Sequence, residues 1–254
     1  MLNKSFTGFL VLSSQIFSGQ TTSQLIYGKP KSVENRDVVC VVSNNEQWND
    51  EHVFYGESKI SRADDQFAGN IDLGTTGSIK VAAGGHLTLE DVSISGLCGE
   101  NFKCEDDTAL ITFKNCRLYI NRAYRFSSGS FTVDDKLSIG GKGIFSYESK
   151  VISEILDNSI LEIEENGSLR FSAKYSKSIN FIKLNKTSVL SLNGACLYVD
   201  AQEAKVENGT ISVEKICSFK TSNDGKIIIG KDCVTECVAG GSFYSEGDVV
   251  FEFE

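Results

Sequence analysis

Four carboxylate doublets, Asp64-Asp65, Asp106-Asp107, Asp134-Asp135 and Glu164-Glu165, are the residues of this 254-residue chain whose type could most readily do chemistry. Glycoside hydrolysis needs two carboxyls flanking one bond, one as acid and one as base or nucleophile. Adjacent residues of a strand point to opposite faces, however, so a doublet in sequence is not yet a pair in space. The two histidines add little: His52 lies in an irregular polar stretch, and His86 opens a strand-like run at a rim position. There is no Gly-x-Ser-x-Gly elbow, no phosphate-cradling glycine loop and no Asp-x-Asp-x-Asp-Gly calcium loop. Turn carboxylates could still offer oxygens to calcium.

The eight cysteines are Cys40, Cys98, Cys104, Cys116, Cys196, Cys217, Cys233 and Cys237, an even count compatible with an exported, oxidised protein. Cys98 and Cys104 bracket a short Gly-Glu-Asn-Phe-Lys loop and are the expected local disulfide, whereas Cys116, Cys196 and Cys217 sit in strand-like runs as small apolar residues. A zinc site would need close spacing in two pairs or a neighbouring histidine. Cys98/Cys104 and Cys233/Cys237 supply neither, and no cofactor or metal is expected.

The elements that must position these residues are β in character. One Pro and 23 Gly, with many Ser, Thr and Asn, describe frequent turns and few helix-favouring runs, and 41% hydrophobic residues suffice for a sizeable core. A net charge of −9, with Lys and Arg scattered and no run of them, argues against nucleic acid as a partner. Residues 1–19 read as a signal peptide, Lys4 preceding Phe6–Leu12 and Ile16-Phe17, or else as an amphipathic cap. No stretch is apolar for the ~20 residues a membrane span needs. Residues 20–70 read as an irregular leader or cap, with one strand at Val38–Val42 and Trp48 packed over the first open layer or marking a binding surface.

From Ile71 to Glu254 short strands alternate with Gly, Asn and Asp turns. Ala109–Ile120 is echoed by Ser188–Val199 at 199 − 120 = 79, Gly129–Ile139 by Gly209–Phe219 at 219 − 139 = 80, and the turn at Gly85 by that at Gly167 at 167 − 85 = 82. The echoes give a superrepeat of about eighty residues within the span of solenoid arrays. Within each copy the apolar phase switches: Ile111 and Phe113 against Leu118 and Ile120 with Asn115 between, Leu190 and Leu192 against Leu197 and Val199 with Asn193-Gly194 between. A strand has period two, so the switch requires a corner. Short strands joined by corners predict an all-β single-stranded right-handed parallel β-helix, a solenoid with an irregular N-terminal cap. At an assumed ~20–25 residues per coil it has about seven or eight coils. Its interior should hold Ile79, Val81, Leu87, Leu89, Ile111, Phe113, Leu118, Ile120, Phe131, Val133, Leu161, Ile163, Leu190, Leu192, Leu197, Val199, Ile211 and Val213. A β-sandwich competes, since Asn166-Gly167, Asn193-Gly194 and Asn208-Gly209 suit hairpins.

Through this rhythm, its turn chemistry and the corner Asn115, the span from Ile71 to Gly241 resembles pectate-lyase-like right-handed β-helix proteins, and among them exported or surface passenger-type proteins of Gram-negative bacteria. Gly140-Gly-Lys-Gly-Ile144 departs from the Gly-Gly-Ala-Ile signature of that group, and the catalytic pattern of polygalacturonase-like members is not present. The resemblance implies a secreted, periplasmic or cell-surface location. It implies a non-enzymatic, adhesin-like scaffold facing a protein or glycan surface, or alternatively a carbohydrate-active lyase or hydrolase. Tyr119 and its echo Tyr198 are the repeated outward aromatics and so the first place to look for a ligand contact.

Overall fold

The computed structural model describes residues 23–30, 34–65, 69–172, 181–221, 226–238, 240–246 and 250–253. The signal or cap expected at 1–19 lies outside the described residues.

The chain winds into a parallel β-solenoid of about 8 turns, with no helix among the described residues. Each full turn lays a strand on each of three walls. The first wall is an 8-stranded sheet: Gln24–Tyr27, Val38–Val42, Glu57–Arg62, His86–Glu90, Leu110–Lys114, Ser130–Val133, Glu154–Ile155 and Lys183–Leu184. The second begins with Glu46–Gln47, Asn70–Asp72, Ser93–Gly99 and the first half of Cys116–Phe126. It continues through Lys136–Gly140, Ile160–Ile163 and Val189–Asn193. The third starts as a 4-stranded sheet, Glu34–Arg36, Glu51–Tyr55, Ser78–Val81 and Phe102–Cys104. The end of Cys116–Phe126 then takes over and leads to Ile144–Tyr147, Ser168–Ser172, Cys196–Asp200 and Ile216–Thr221. Pairing is parallel on all three walls, which excludes the hairpins a sandwich needs.

Every residue expected in the interior is buried. The corner at Asn115 works as its phase switch requires: its φ is 49°, a left-handed conformation that turns the chain and inverts which alternate residues face inward. Asp91, one rung below, has φ 55° and accepts a 2.6 Å hydrogen bond from Asn115 Nδ2, so successive corners stack. Cys116, just past the corner, donates its thiol to the carbonyls of Leu89 and Lys114, both at 3.3 Å. Cys217, past the corner residue Lys215 (φ 55°), does the same to Leu192 and Glu214 at 3.1 and 3.2 Å. Apolar size and a weak donor explain the choice of cysteine.

Two expectations about boundaries change. Ile71 does not mark the start of the solenoid. Val38–Val42 and Glu57–Arg62, from the expected leader, pair with each other and then with His86–Glu90 on the first wall. Trp48 is fully buried, its ring 5.0 Å from that of the core-facing His52, and Nε1 donates to Glu46 Oε2. Short strands and inward-facing polar residues such as Asn35, His52 and Ser58 hide the alternation there.

The eighty-residue echo, in turn, is not a whole number of turns. Leu110 pairs with Ser130, Thr132 with Glu154, and Glu154 with Lys183, so three turns above Leu110–Lys114 lies Lys183–Leu184. Its sequence echo Val189–Asn193 belongs to the second wall. The recurring unit is therefore strand, corner, strand, reused at different corners.

An aromatic spine runs along the core axis. Phe102, Phe113, Phe131 and Phe126 meet edge to face at centroid distances of 6.1, 5.9 and 5.7 Å, and Phe126 stacks on Tyr147 at 5.7 Å. Tyr147 in turn lies against Phe171, and Phe171 against Phe181. Such pairs add about 0.5–1.5 kcal/mol each beyond their burial.

Candidate functional site

Among the described residues the interior is filled by packed apolar side chains, which leaves the outer walls as the place for a site. A core cavity of about 10 Å³ beside Phe131, Phe145, Tyr147 and Leu161 is lined by apolar side chains and is no larger than a water needs.

The carboxylate doublets are pulled apart rather than paired. Asp65 bonds Arg62 at 2.7 Å. Asp106 accepts from the backbone N–H and hydroxyl of Thr108 at 2.9 and 2.6 Å. Asp134 meets Lys114 at 2.7 Å, whereas Asp135 is a corner with φ 99°. Glu164 takes Arg117 on the second wall and Glu165 takes Lys215 at a corner, two separate cations. The carboxyls of Asp50, Glu105, Asp106, Asp157 and Glu162 are all shifted downward. Lys29 lowers Asp50, Lys80 lowers Glu105, and Thr108 and Thr187 lower Asp106 and Asp157 by hydrogen bonding. For Glu162, partial burial pushes the carboxyl up. Hydrogen bonds from Lys136 and Ser138, with the charge of Lys136, outweigh that and hold it low. A general acid at neutral pH needs the opposite shift.

These shifts fix the acid limit of the fold. A carboxyl whose folded pKa is depressed contributes stability above its unfolded value and loses it as pH falls through the folded one. Urea midpoints should therefore hold steady from pH 7 to about 5 and fall below about pH 4. Glu162→Gln should flatten part of that fall while lowering the midpoint at pH 7. An unchanged acid profile in this variant would contradict the assignment.

The predicted disulfide does not form in the structure: Cys98 and Cys104 are both free thiols. Cys98 follows the core-facing Leu97 and points outward, whereas Cys104 faces the core, so the wall separates them. Burial pushes the thiols of Cys40, Cys104 and Cys116 up to about 12, and only Cys237 is exposed. A maleimide should label Cys237 within minutes in native buffer and reach Cys40, Cys104 and Cys116 only after denaturation, as read by mass spectrometry. Early labelling of those three would contradict the packing.

Tyr119 and Tyr198 are both outward but do not meet. Tyr119 pairs with Gly140 on the second wall, and Tyr198 lies between Arg170 and Lys220 on the third. Each ring carries an arginine: Arg117 at 5.7 Å over Tyr119 and Arg170 at 5.2 Å over Tyr198. His86, expected at a solvated rim, bridges three rungs of the first wall, with Nδ1 2.9 Å from Glu57 and Nε2 2.8 Å from Thr112 Oγ1.

The third wall carries a feature that linear reading missed. Lys80 pairs in register with Lys103. On the next rung the Tyr124 hydroxyl donates to the Phe102 carbonyl and Ser128 Oγ to that of Cys104, which brings Arg125 onto the same wall, while the backbone of Tyr124 pairs with Gly99. Arg125 then pairs with Ser146, Ser146 with Arg170, Arg170 with Tyr198 and Tyr198 with Lys220. Cations that look scattered, at spacings of 103 − 80 = 23 and 125 − 103 = 22, thus form a column on one wall made of two in-register runs, Lys80 with Lys103 and Arg125 through Arg170 to Lys220, with no acid in either. Acids border it: Glu105 pairs with Lys80 at 2.6 Å, Glu100 with Arg125 at 3.2 Å, and Asp200 with Arg170. Lys103 has no ion pair with a described residue. Exposed pairs of this kind are worth ~0–1 kcal/mol, so they hold the cations loosely.

Comparison of the chain with family models, with curated proteins and with solved structures finds no match.

Proposed function

We propose that the chain is an exported or cell-surface scaffold whose solenoid walls present a rigid face to a glycan or protein partner, without a catalytic centre. The observation that supports this best is the fate of the acidic residues. The doublets are split among corners and separate cations, and the resolved carboxyl shifts run downward. A wall that stays straight over many rungs can instead engage an extended partner by repetition.

The test is incubation with neutral and acidic polysaccharides while reducing ends and unsaturated products are followed. No product is expected. Cleavage that disappears in Asp134→Asn or Glu164→Gln would overturn the scaffold reading. Fractionation of cells making the chain with and without residues 1–19 tests export. Export should require that segment, and an unchanged distribution would contradict it.

A further inference from the structure

We infer that the third wall binds a linear anionic polysaccharide lying along the solenoid axis over the column from Lys80 to Lys220. This deepens the scaffold reading by naming its face and the chemistry of its ligand, and rests on it in that respect.

The column is the first ground. A chain with net charge −9 places like charges directly opposite each other, Lys80 against Lys103, where cross-strand repulsion opposes folding. Farther along, Arg125 and Arg170 are separated only by Ser146, a buried residue with a short side chain. Rungs rise ~4.8 Å, so the column offers a cation every ~5–10 Å over about 29 Å, six rung spacings. That matches a polymer with one anionic group per sugar or two. It falls well below duplex nucleic acid, with one charge per ~1.7 Å of axis, which the bordering Glu100, Glu105 and Asp200 would also repel.

The neighbours of the column are the second ground. Ser168, half-buried, lies beside it as a paired partner of Cys196, offering a hydroxyl that both donates and accepts, as sugar hydroxyls require. An extended peptide would find no sheet edge here for its backbone groups, since the wall presents side chains only. Tyr198, half-buried, interrupts the cations, and the Arg170 guanidinium lies over its ring.

The test uses the purified chain at low salt with dextran sulfate and hyaluronan as probes, uncharged dextran as control and a single-stranded DNA oligomer as competitor class. Binding to both charged polysaccharides should fall steeply with added NaCl and be absent with dextran. Lys103→Glu/Arg125→Glu should weaken it at least tenfold. Lys59→Glu/Lys183→Glu, the same charge change on the first wall, should leave it within twofold. Thermal melts of both variants confirm folding. No binding by the parent chain, equal loss in both variants, or tighter binding of DNA would each overturn the inference. Reducing ends assayed in the same tubes keep the two readings apart. Cleavage would sink the scaffold reading and leave binding intact, whereas absent binding would sink the inference alone.

Discussion

Phe131→Ala should cost about 3–5 kcal/mol, the range for removing a fully buried aromatic. The ring lies on the first wall where the aromatic spine converges, with Phe113 at 5.9 Å, Phe126 and Tyr147 at 5.7 Å and Phe145 at 6.2 Å. No backbone segment can close the resulting space, because every neighbour is a rung held in register by parallel pairing above and below. The residue also borders the existing cavity, so truncation enlarges a void that has already failed to collapse. For a chain of this size the loss should appear as a fall in Tm of roughly 6–20 °C. Because rungs contact mainly their neighbours, amide protection should fall first between residues 110 and 147. Phe131→Leu should recover most of the loss. A melt within 2 °C of the parent, an arbitrary but generous margin against the expected ~6–20 °C, would contradict the core described.

Gly77→Ala should be as damaging through a different cause. A Cβ at Gly77 would lie 1.6 Å from the carbonyl oxygen of Trp48 and 2.6 Å from that of Leu73, both backbone atoms. Gly77 also donates its N–H to Leu73 at 2.8 Å in the turn from the second wall to the third. Relief requires the Asp50–Ser78 rung contact to open, so several kcal/mol are at stake, on the scale of overpacking a core or more. Gly84 is the control: its φ is +66° but nothing lies within 4 Å of its Cβ position. Gly84→Ala should cost only the left-handed conformation, ~1–2 kcal/mol. Urea midpoints of the two variants separate steric exclusion from backbone strain, and equal losses would contradict the close approach at Trp48.

What could be read from the sequence was whatever repeats within one strand and one corner. Alternation placed Leu87, Leu89, Ile111 and Val133 inside, and the phase switches at Asn115 and Asn193-Gly194 located corners where φ proves positive. What could not be read depends on how many residues each rung takes. Pairing of Leu110 with Ser130 spans 130 − 110 = 20 residues, and of Glu154 with Lys183 it spans 183 − 154 = 29. With that variation no fixed period aligns Lys80 with Lys103 and Arg125 with Arg170, and the cation column is invisible until register is known. The variation also makes the echo of Leu110–Lys114 at Val189–Asn193 fall on another wall. Cys98 and Cys104 looked joinable because only five residues lie between them, but the turn uses φ 75° at Gly96 and φ 58° at Gly99, leaving one thiol outside the wall and one inside. Trp48, expected to pack over the first open layer or to mark a binding surface, is buried against His52.

The register that brings distant cations into line is the claim on which the rest depends, and a distance along the axis measures it. Nitroxide labels at Lys80→Cys and Lys220→Cys, in a chain with Cys98→Ser, Cys196→Ser, Cys233→Ser and Cys237→Ser, can be read by pulsed electron–electron double resonance. Six rung spacings place the labels about 29 Å apart, with a narrow distribution because both sit on one straight wall. A broad distribution, or a maximum displaced by more than about three rung spacings, ~14 Å, would contradict the solenoid register and the column with it.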